Sequence, residues 1–277
     1  MSTTTAPTTA FVTSADGTLI AYEVTGRGPA LISVDGALCQ RAMGPSRGLA
    51  TALREEFTVY AYDRRGRGES GPGSSAYAVD REVEDLRAVI DTAGGHAHLL
   101  GQSSGAALAL EAARQGASID RLAVFEAPFI VDDTHRPNDA RLGERTQQLV
   151  DAGRSDDAVR LFMRTVGVPA PVLVLMRVMP TWKHLVGAAH TLAHDYAIVL
   201  GHQQGRPLPD GYYDGVVPET LVMVGGKSPT YMAHAQDAIA AAVPQGRLRT
   251  LTGQTHMVKA GALAAAVAPF LLGHSSR

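Results

Sequence analysis

The sequence predicts an α/β protein: a mostly parallel sheet with helices on both faces and a helical segment inserted into it. Three features carry this reading. Short apolar runs alternate with helical patterns along most of the chain, the order that strand–helix crossovers impose on a parallel sheet. One such unit, residues 96–113, turns from strand to helix within Gly101-Gln102-Ser103-Ser104-Gly105. From 131 to 214 no strand pattern occurs, a span far too long for an ordinary connection.

The elements follow in order. Residues 1–9 are rich in Thr, Ala and Pro and are expected to be disordered. The core is expected over 10–130 and 215–277. Residues 11–14 and 18–25 flank Ala15-Asp16-Gly17, a hairpin with Asp-Gly at its turn. A short buried strand over 30–34 leaves into Asp35-Gly36-Ala37, and a helix over 43–55 carries Leu49 and Leu53 at helical spacing. Strand 57–62 and helix 79–92 come next, the helix with Val83, Leu86, Val89 and Ile90 on one face. After the central unit, strand 121–125 ends at Glu126. Helical patterns over 140–152, 156–165, 172–179 and 182–200 then fill the insertion. Strand 221–224, helix 229–243, strand 247–251 and an amphipathic helix over 258–272 complete the chain.

Composition narrows the function. With 277 residues, 45% hydrophobic and 19% charged, the chain has the make-up of a globular enzyme with a sizeable core. A formal net charge of −2 and the lack of a basic block argue against a nucleic-acid partner. Cys39 is the only cysteine, so no intrachain disulfide can form. No uninterrupted apolar run reaches about 18 residues, so no membrane span is expected. The first ten residues lack the basic start and apolar run of a secretory signal, and a cytoplasmic location is expected. The expected partner is a small-molecule substrate, with a homodimer left open.

The chemistry centres on the sharp turn. A turn this tight strains its central residue, and side chains two positions to either side would collide. Gly101 and Gly105 remove those side chains, so Ser103 can stand exposed at the apex as a nucleophile. The following helix aims free N–H groups and its positive end at the same place. A plain turn with a capping serine is the competing reading; the strand before and the helix after favour the nucleophile. His256 lies in a loop beyond the last strand, where it can take a proton from Ser103 and return it to a leaving group. His190 and His194 have the spacing of a zinc pair, but no Glu follows His190 and no third ligand is evident, so no metal is expected. The G-x-G-x-x-G match at 66–71 runs into Pro72, Gly73, Ser74 and Ser75 rather than a helix, so no dinucleotide cofactor is expected.

The YDRRGRGES segment after a strand, the GQSSG turn, the helical interruption and the final GQTH resemble the α/β-hydrolase superfamily, over nearly the whole chain from Phe11 onward. The chain is similar to capped serine hydrolases of esterase, lactonase or iminopeptidase type. That resemblance implies the α/β-hydrolase fold with a helical cap over 131–214, and Ser103 and His256 working with an acid and no cofactor. Many relatives carry the acid in a Gly-x-x-Asp turn before the histidine segment. Here that turn reads Gly225-Gly226-Lys227-Ser228-Pro229, with Ser228 in the place of the acid. Some members put the acid after the preceding strand, so Glu126 is expected to orient His256, with Asp132 and Asp133 as alternatives. The oxyanion hole is expected from the backbone N–H groups of Ser104 and Ala37. Relatives usually carry His-Gly where this chain has Asp35-Gly36. Both residues are expected beside the substrate, Asp35 either contacting it or tying down the neighbouring loop. Phe162, Met179 and Trp182 are expected to line an apolar substrate pocket, with packing inside the cap as the competing account. The expected activity is cleavage of an ester, lactone, thioester or amide through an acyl-enzyme on Ser103. Acyl transfer or cyclisation at the same site, and a non-catalytic ligand-binding protein of the same fold, are the alternatives.

Overall fold

The computed structural model describes residues 8–73 and 76–274. Most of the stretch expected to be disordered, and Ser74 and Ser75, lie outside the described residues. The centre is a sheet of β1 (Ala10–Thr13), β2 (Leu19–Gly26), β3 (Ala30–Val34), β4 (Thr58–Tyr62), β5 (Ala97–Gln102), β6 (Ile119–Phe125), β7 (Glu219–Gly225) and β8 (Gly246–Leu251). Their order is β1-β2-β4-β3-β5-β6-β7-β8. The β1–β2 and β2–β4 pairings are antiparallel, and the rest are parallel.

Every residue of β5 is buried, as a central parallel strand covered on both faces requires. Its side chains alternate between the two faces: Leu99 joins a cluster with Val83, Leu86, Ala109 and Ile239, and Leu100 joins one with Leu49, Phe125, Leu263 and Val267. Apart from Phe125 of β6, these partners come from α2 (Val79–Thr92), α3 (Ser104–Arg114) and α9 (Thr230–Ala242) on one face, and from α1 (Ser46–Leu53) and α10 (Ala260–Leu271) on the other. The helix expected from residue 43 starts only after Pro45, which precedes the first turn. Met43 instead pairs with Gln40 across a tight turn.

Between β6 and β7 the described residues are helical or irregular: α4 (Leu142–Asp151), α5 (Ser155–Thr165), α6 (Ala170–Arg177), α7 (Thr181–Gly187) and α8 (Leu192–Val199). The single helix expected over 182–200 is broken. Gly187, a poor helix former, ends α7, and a 3-10 turn over Ala189–Thr191 re-aims the chain into α8. The Thr191 hydroxyl secures that break by donating to the Ala188 carbonyl at 2.9 Å. The insertion buries its own cluster, including Val159, Met163, Leu173, Trp182 and Leu192, and that cluster takes in Leu38 from the loop after β3. No described helix is long and apolar enough to cross a membrane.

Candidate active site

Ser103 sits between β5 and α3 at φ 55°, ψ −126°, a backbone state that costs a non-glycine residue about 1–3 kcal/mol. The flanking glycines are forced by backbone contact. A Cβ on Gly101 would lie 2.5 Å from the Gly105 carbonyl oxygen, and one on Gly105 would run into the Val34 carbonyl. A Cβ on Gly36 would stand 2.9 Å from Ser103 Cβ, so the loop after β3 approaches the serine closely only because residue 36 is glycine. The Ser103 side chain does not cap α3, contrary to the plain turn reading. Its backbone N–H donates to the Phe125 carbonyl at 2.9 Å, tying the turn to the end of β6.

Glu126 follows β6 directly, fully buried and at φ 50°. Its Oε2 lies 2.7 Å from His256 Nδ1. Its Oε1 accepts from the Gly225 N–H at 2.7 Å and from Ser228 Oγ at 2.5 Å. The buried carboxylate is thus supplied with three partners, which such a group needs. The His256 loop is stitched to the β7 turn by Lys227 N–H to Gln254 O (2.8 Å) and Gly226 N–H to Leu251 O (2.9 Å). With Nδ1 donating to Glu126, the lone pair falls on Nε2. Among the described residues no hydrogen bond joins Ser103 Oγ to His256. Of the other acids weighed, Asp132 bonds His234 and Thr134, and Asp133 is exposed.

Of the two expectations for Asp35, contact with a substrate does not fit its place: it is buried against the neighbouring loop, and neither carboxylate oxygen has a hydrogen-bond partner among the described residues. Leaving β3, its side chain turns inward beneath the loop, where a Cβ on Gly44 would lie 2.8 Å from Oδ2. Ser46 Oγ is taken up by Ser33 Oγ at 2.9 Å. Burial pushes the Asp35 carboxyl up to about 6, opposed by the nearby Ser46 hydroxyl and then by the Arg67 and Arg64 cations. Ala37 is half-buried against the cluster of the insertion, and Ser104 begins α3.

The expected lining residues do not share one surface. Trp182 is 5% exposed, and its indole N–H donates to Asp156 Oδ1 at 2.7 Å, so it packs the insertion rather than facing a substrate. Met179 is 47% exposed, and Phe162 sits edge-on to Tyr196 with ring centroids 6.3 Å apart. His190 and His194 make unrelated contacts: His190 Nε2 meets the Gly66 carbonyl at 2.7 Å, and His194 stacks on Tyr77 at 3.8 Å. A cavity of about 540 Å³ beside α3 is lined by Glu111, Phe129, His202 and Tyr212 and has none of Ser103, Glu126 or His256 in its wall. In the 66–71 turn, Asp63 fills the space that a side chain on Gly68 would need, and its oxygens accept from the Arg41 and Glu69 N–H groups. The sequence marks this segment as a structural turn whose Arg and Asp brace neighbouring loops, but it does not point to Asp195, which joins Arg64 and Arg67 in a buried ion network.

The strand order, the sharp turn after β5 and the insertion before β7 define a protein of the α/β-hydrolase class. The model of the alpha/beta hydrolase family matches residues 41–275, and the chain belongs to that family. It is similar to an alpha/beta hydrolase from Sphaerobacter thermophilus, at 43% identity over 94% of this chain and 99% of that one, with a TM-score of 0.86. A hydrolase from Pseudomonas aeruginosa is 24% identical over 97% and 100% of the two chains (TM-score 0.74). An esterase from a Rhodococcus species is 18% identical over 96% and 99% (TM-score 0.68). The last two share the fold. Family and neighbours together support an enzyme of the hydrolase class.

Proposed function

We propose that the protein is a serine hydrolase that cleaves an ester-type bond of a small molecule, a carboxylic ester foremost, through an acyl-enzyme on Ser103. The observation that carries this reading is the 2.7 Å Glu126–His256 pair, held beside a strained serine turn on the neighbouring strand. Ser103 Oγ attacks the carbonyl carbon as its proton passes to His256 Nε2. The carbonyl electron pair moves onto oxygen, which the Ser104 and Ala37 N–H groups receive. Collapse restores the carbonyl and breaks the bond to the leaving oxygen, which takes the proton from His256. Water then gives a proton to His256 and attacks the acyl carbon. The second collapse releases the acid and returns the proton to Ser103. Throughout, Glu126 holds the ring and balances the imidazolium charge. Catalytic hydrogen bonds often tighten only once substrate is bound, which accommodates the unmade Ser103–His256 bond.

A fluorophosphonate probe tests the reading. Stoichiometric labelling at Ser103, lost in Ser103→Ala, together with ester hydrolysis, is expected. Folded wild-type protein that stays unlabelled would point to a ligand-binding protein of this fold. Product made from an added alcohol, in place of free acid, would assign acyl transfer.

A further inference from the structure

Below the turn, one carboxylate of the insertion reaches both sides of the expected oxyanion hole. Asp195, on α8, is 3% exposed. Its Oδ2 accepts from Arg67 Nη2 at 2.6 Å, and its Oδ1 accepts from Arg64 Nη1 and Ser104 Oγ, both at 2.7 Å. The two arginines are buried, and Glu82 forks onto Arg64 through bonds of 2.7 and 2.8 Å. Two cations therefore face two anions in this network. Burial pushes the Asp195 carboxyl up, but Arg67 and Arg64 outweigh that effect and hold it below its ordinary range. The group stays charged, and a charged group here needs all of these partners.

The network ends on the two expected donor residues. Arg67 Nη1 donates to the Gly36 carbonyl at 2.6 Å, while Arg67 Nε is held by Thr191 Oγ1 at 3.1 Å. The Gly36 C=O and the Ala37 N–H belong to one planar trans peptide and point in opposite directions. Fixing the oxygen therefore fixes the direction of the N–H. A guanidinium on the oxygen also polarises the amide and strengthens the donor at its other end. On the opposite side, the Ser104 side chain is tied to Asp195 directly, which restrains the residue that offers the second N–H.

We propose that Asp195 is a positioning residue for the oxyanion hole, holding Arg67 against the Gly36 carbonyl and Ser104 at the start of α3. The inference rests on the serine-hydrolase reading above and deepens it. On this account the insertion, besides covering the sheet, sets the geometry of both donors from behind.

The test uses Asp195→Asn and Ser104→Ala in the full chain, with p-nitrophenyl acetate, a fluorophosphonate, a trifluoromethyl ketone that forms a tetrahedral adduct, and acetate as a product. Loss of one oxyanion donor costs about 10²–10³ in kcat, so Asp195→Asn, which displaces donors without deleting them, should lose about 10–10² with KM little changed. Ser104→Ala leaves the ion network whole and should lose about 3–10-fold in kcat, a smaller share of the same effect. In both variants the ketone should weaken by the factor lost from kcat/KM, acetate inhibition should hold, and Ser103 labelling should reach its full endpoint. Unchanged kcat and ketone affinity in folded Asp195→Asn overturns the proposal, as does a loss shared equally by KM and acetate binding. If Asp195→Asn does not fold, Ser104→Ala decides by the same two readouts. Wild-type protein that is never labelled at Ser103 overturns both this proposal and the reading beneath it. A labelled wild type with unaffected variants overturns only the role of Asp195.

Discussion

Ser228 donates its hydroxyl to Glu126 Oε1. The residue at the position where the resemblance leads one to expect an acid is thus a hydrogen-bond donor to an acid on the neighbouring strand end. The Gly225 N–H supports the same oxygen, leaving Oε2 for His256. The β7 turn still serves the histidine, but through a carboxylate that it holds rather than one that it supplies.

Glu126→Gln should lower kcat by about 10³–10⁴ with the fold retained, the scale seen when a triad acid becomes an amide. The amide favours the wrong ring tautomer and removes the counter-charge. Steady-state kinetics with circular dichroism checks this, and a fully active variant would remove Glu126 from the mechanism.

Ser228→Asp should act in opposite directions in two backgrounds. Beside an intact Glu126 it sets two carboxylates within hydrogen-bond distance, which disfavours charge on both, so stability and kcat should fall. In Glu126→Gln it offers His256 a carboxylate from the turn that many relatives use, and part of the lost rate should return. Equal effects in both backgrounds would contradict the pairing of these residues.

These two changes also show what could be read from the sequence. Gly101 and Gly105 mark the serine turn because the backbone leaves no room for a side chain, and that demand is local. The limits of α2, residues 79–92, lay open in the spacing of Val83, Leu86, Val89 and Ile90. The absent acid at 228 directed attention to Glu126. Asp195 was invisible for a different reason: its partners Arg67 and Arg64 stand 128 and 131 positions away, and on a short helix an acid reads as a solvated group. Periodicity also ran on through Gly187, hiding the break between α7 and α8. The burial of Trp182 belongs to a cluster that gathers residues from α5, α6 and the loop holding Leu38, which local spacing does not show.

Ser103→Gly should be more stable than Ser103→Ala by about 1 kcal/mol, because glycine adopts φ 55°, ψ −126° without the clash that any Cβ meets. Both variants lack the nucleophile, so urea unfolding compares strain alone. Equal midpoints would mean that the turn is not strained.

Asp35→Asn should change the pH dependence of stability. The folded carboxyl is pushed from 3.8 up to about 6, so its stabilising contribution is complete below about pH 4 and is lost as pH rises through about 6. At pH 8 the wild type therefore holds a buried charge that the variant lacks. The stability difference between variant and wild type should favour the variant more at pH 8 than at pH 4, by about 1–3 kcal/mol. Thermal unfolding at both pH values measures it, and a pH-independent difference would contradict the shift.

Trp182→Ala should cost about 3–5 kcal/mol of stability, as large-to-small changes in a packed cluster do, with similar fractional losses of kcat/KM for small and bulky esters. Met179→Ala, at the surface, should stay within about 0.5 kcal/mol of wild type. A change in chain-length preference without destabilisation in Trp182→Ala would return that residue to the substrate pocket.

The bonds between α8 and the sheet bear on how a substrate comes and goes. Lifting the insertion as a hinged flap would pull Asp195 off Arg64 and Arg67 and strand buried charges, at a cost of about 3–5 kcal/mol for a broken pair. It would also tear Leu38 out of the cluster around Trp182. A substrate that reached Ser103 with α8 in place would leave these ion pairs and the Leu38 contact whole.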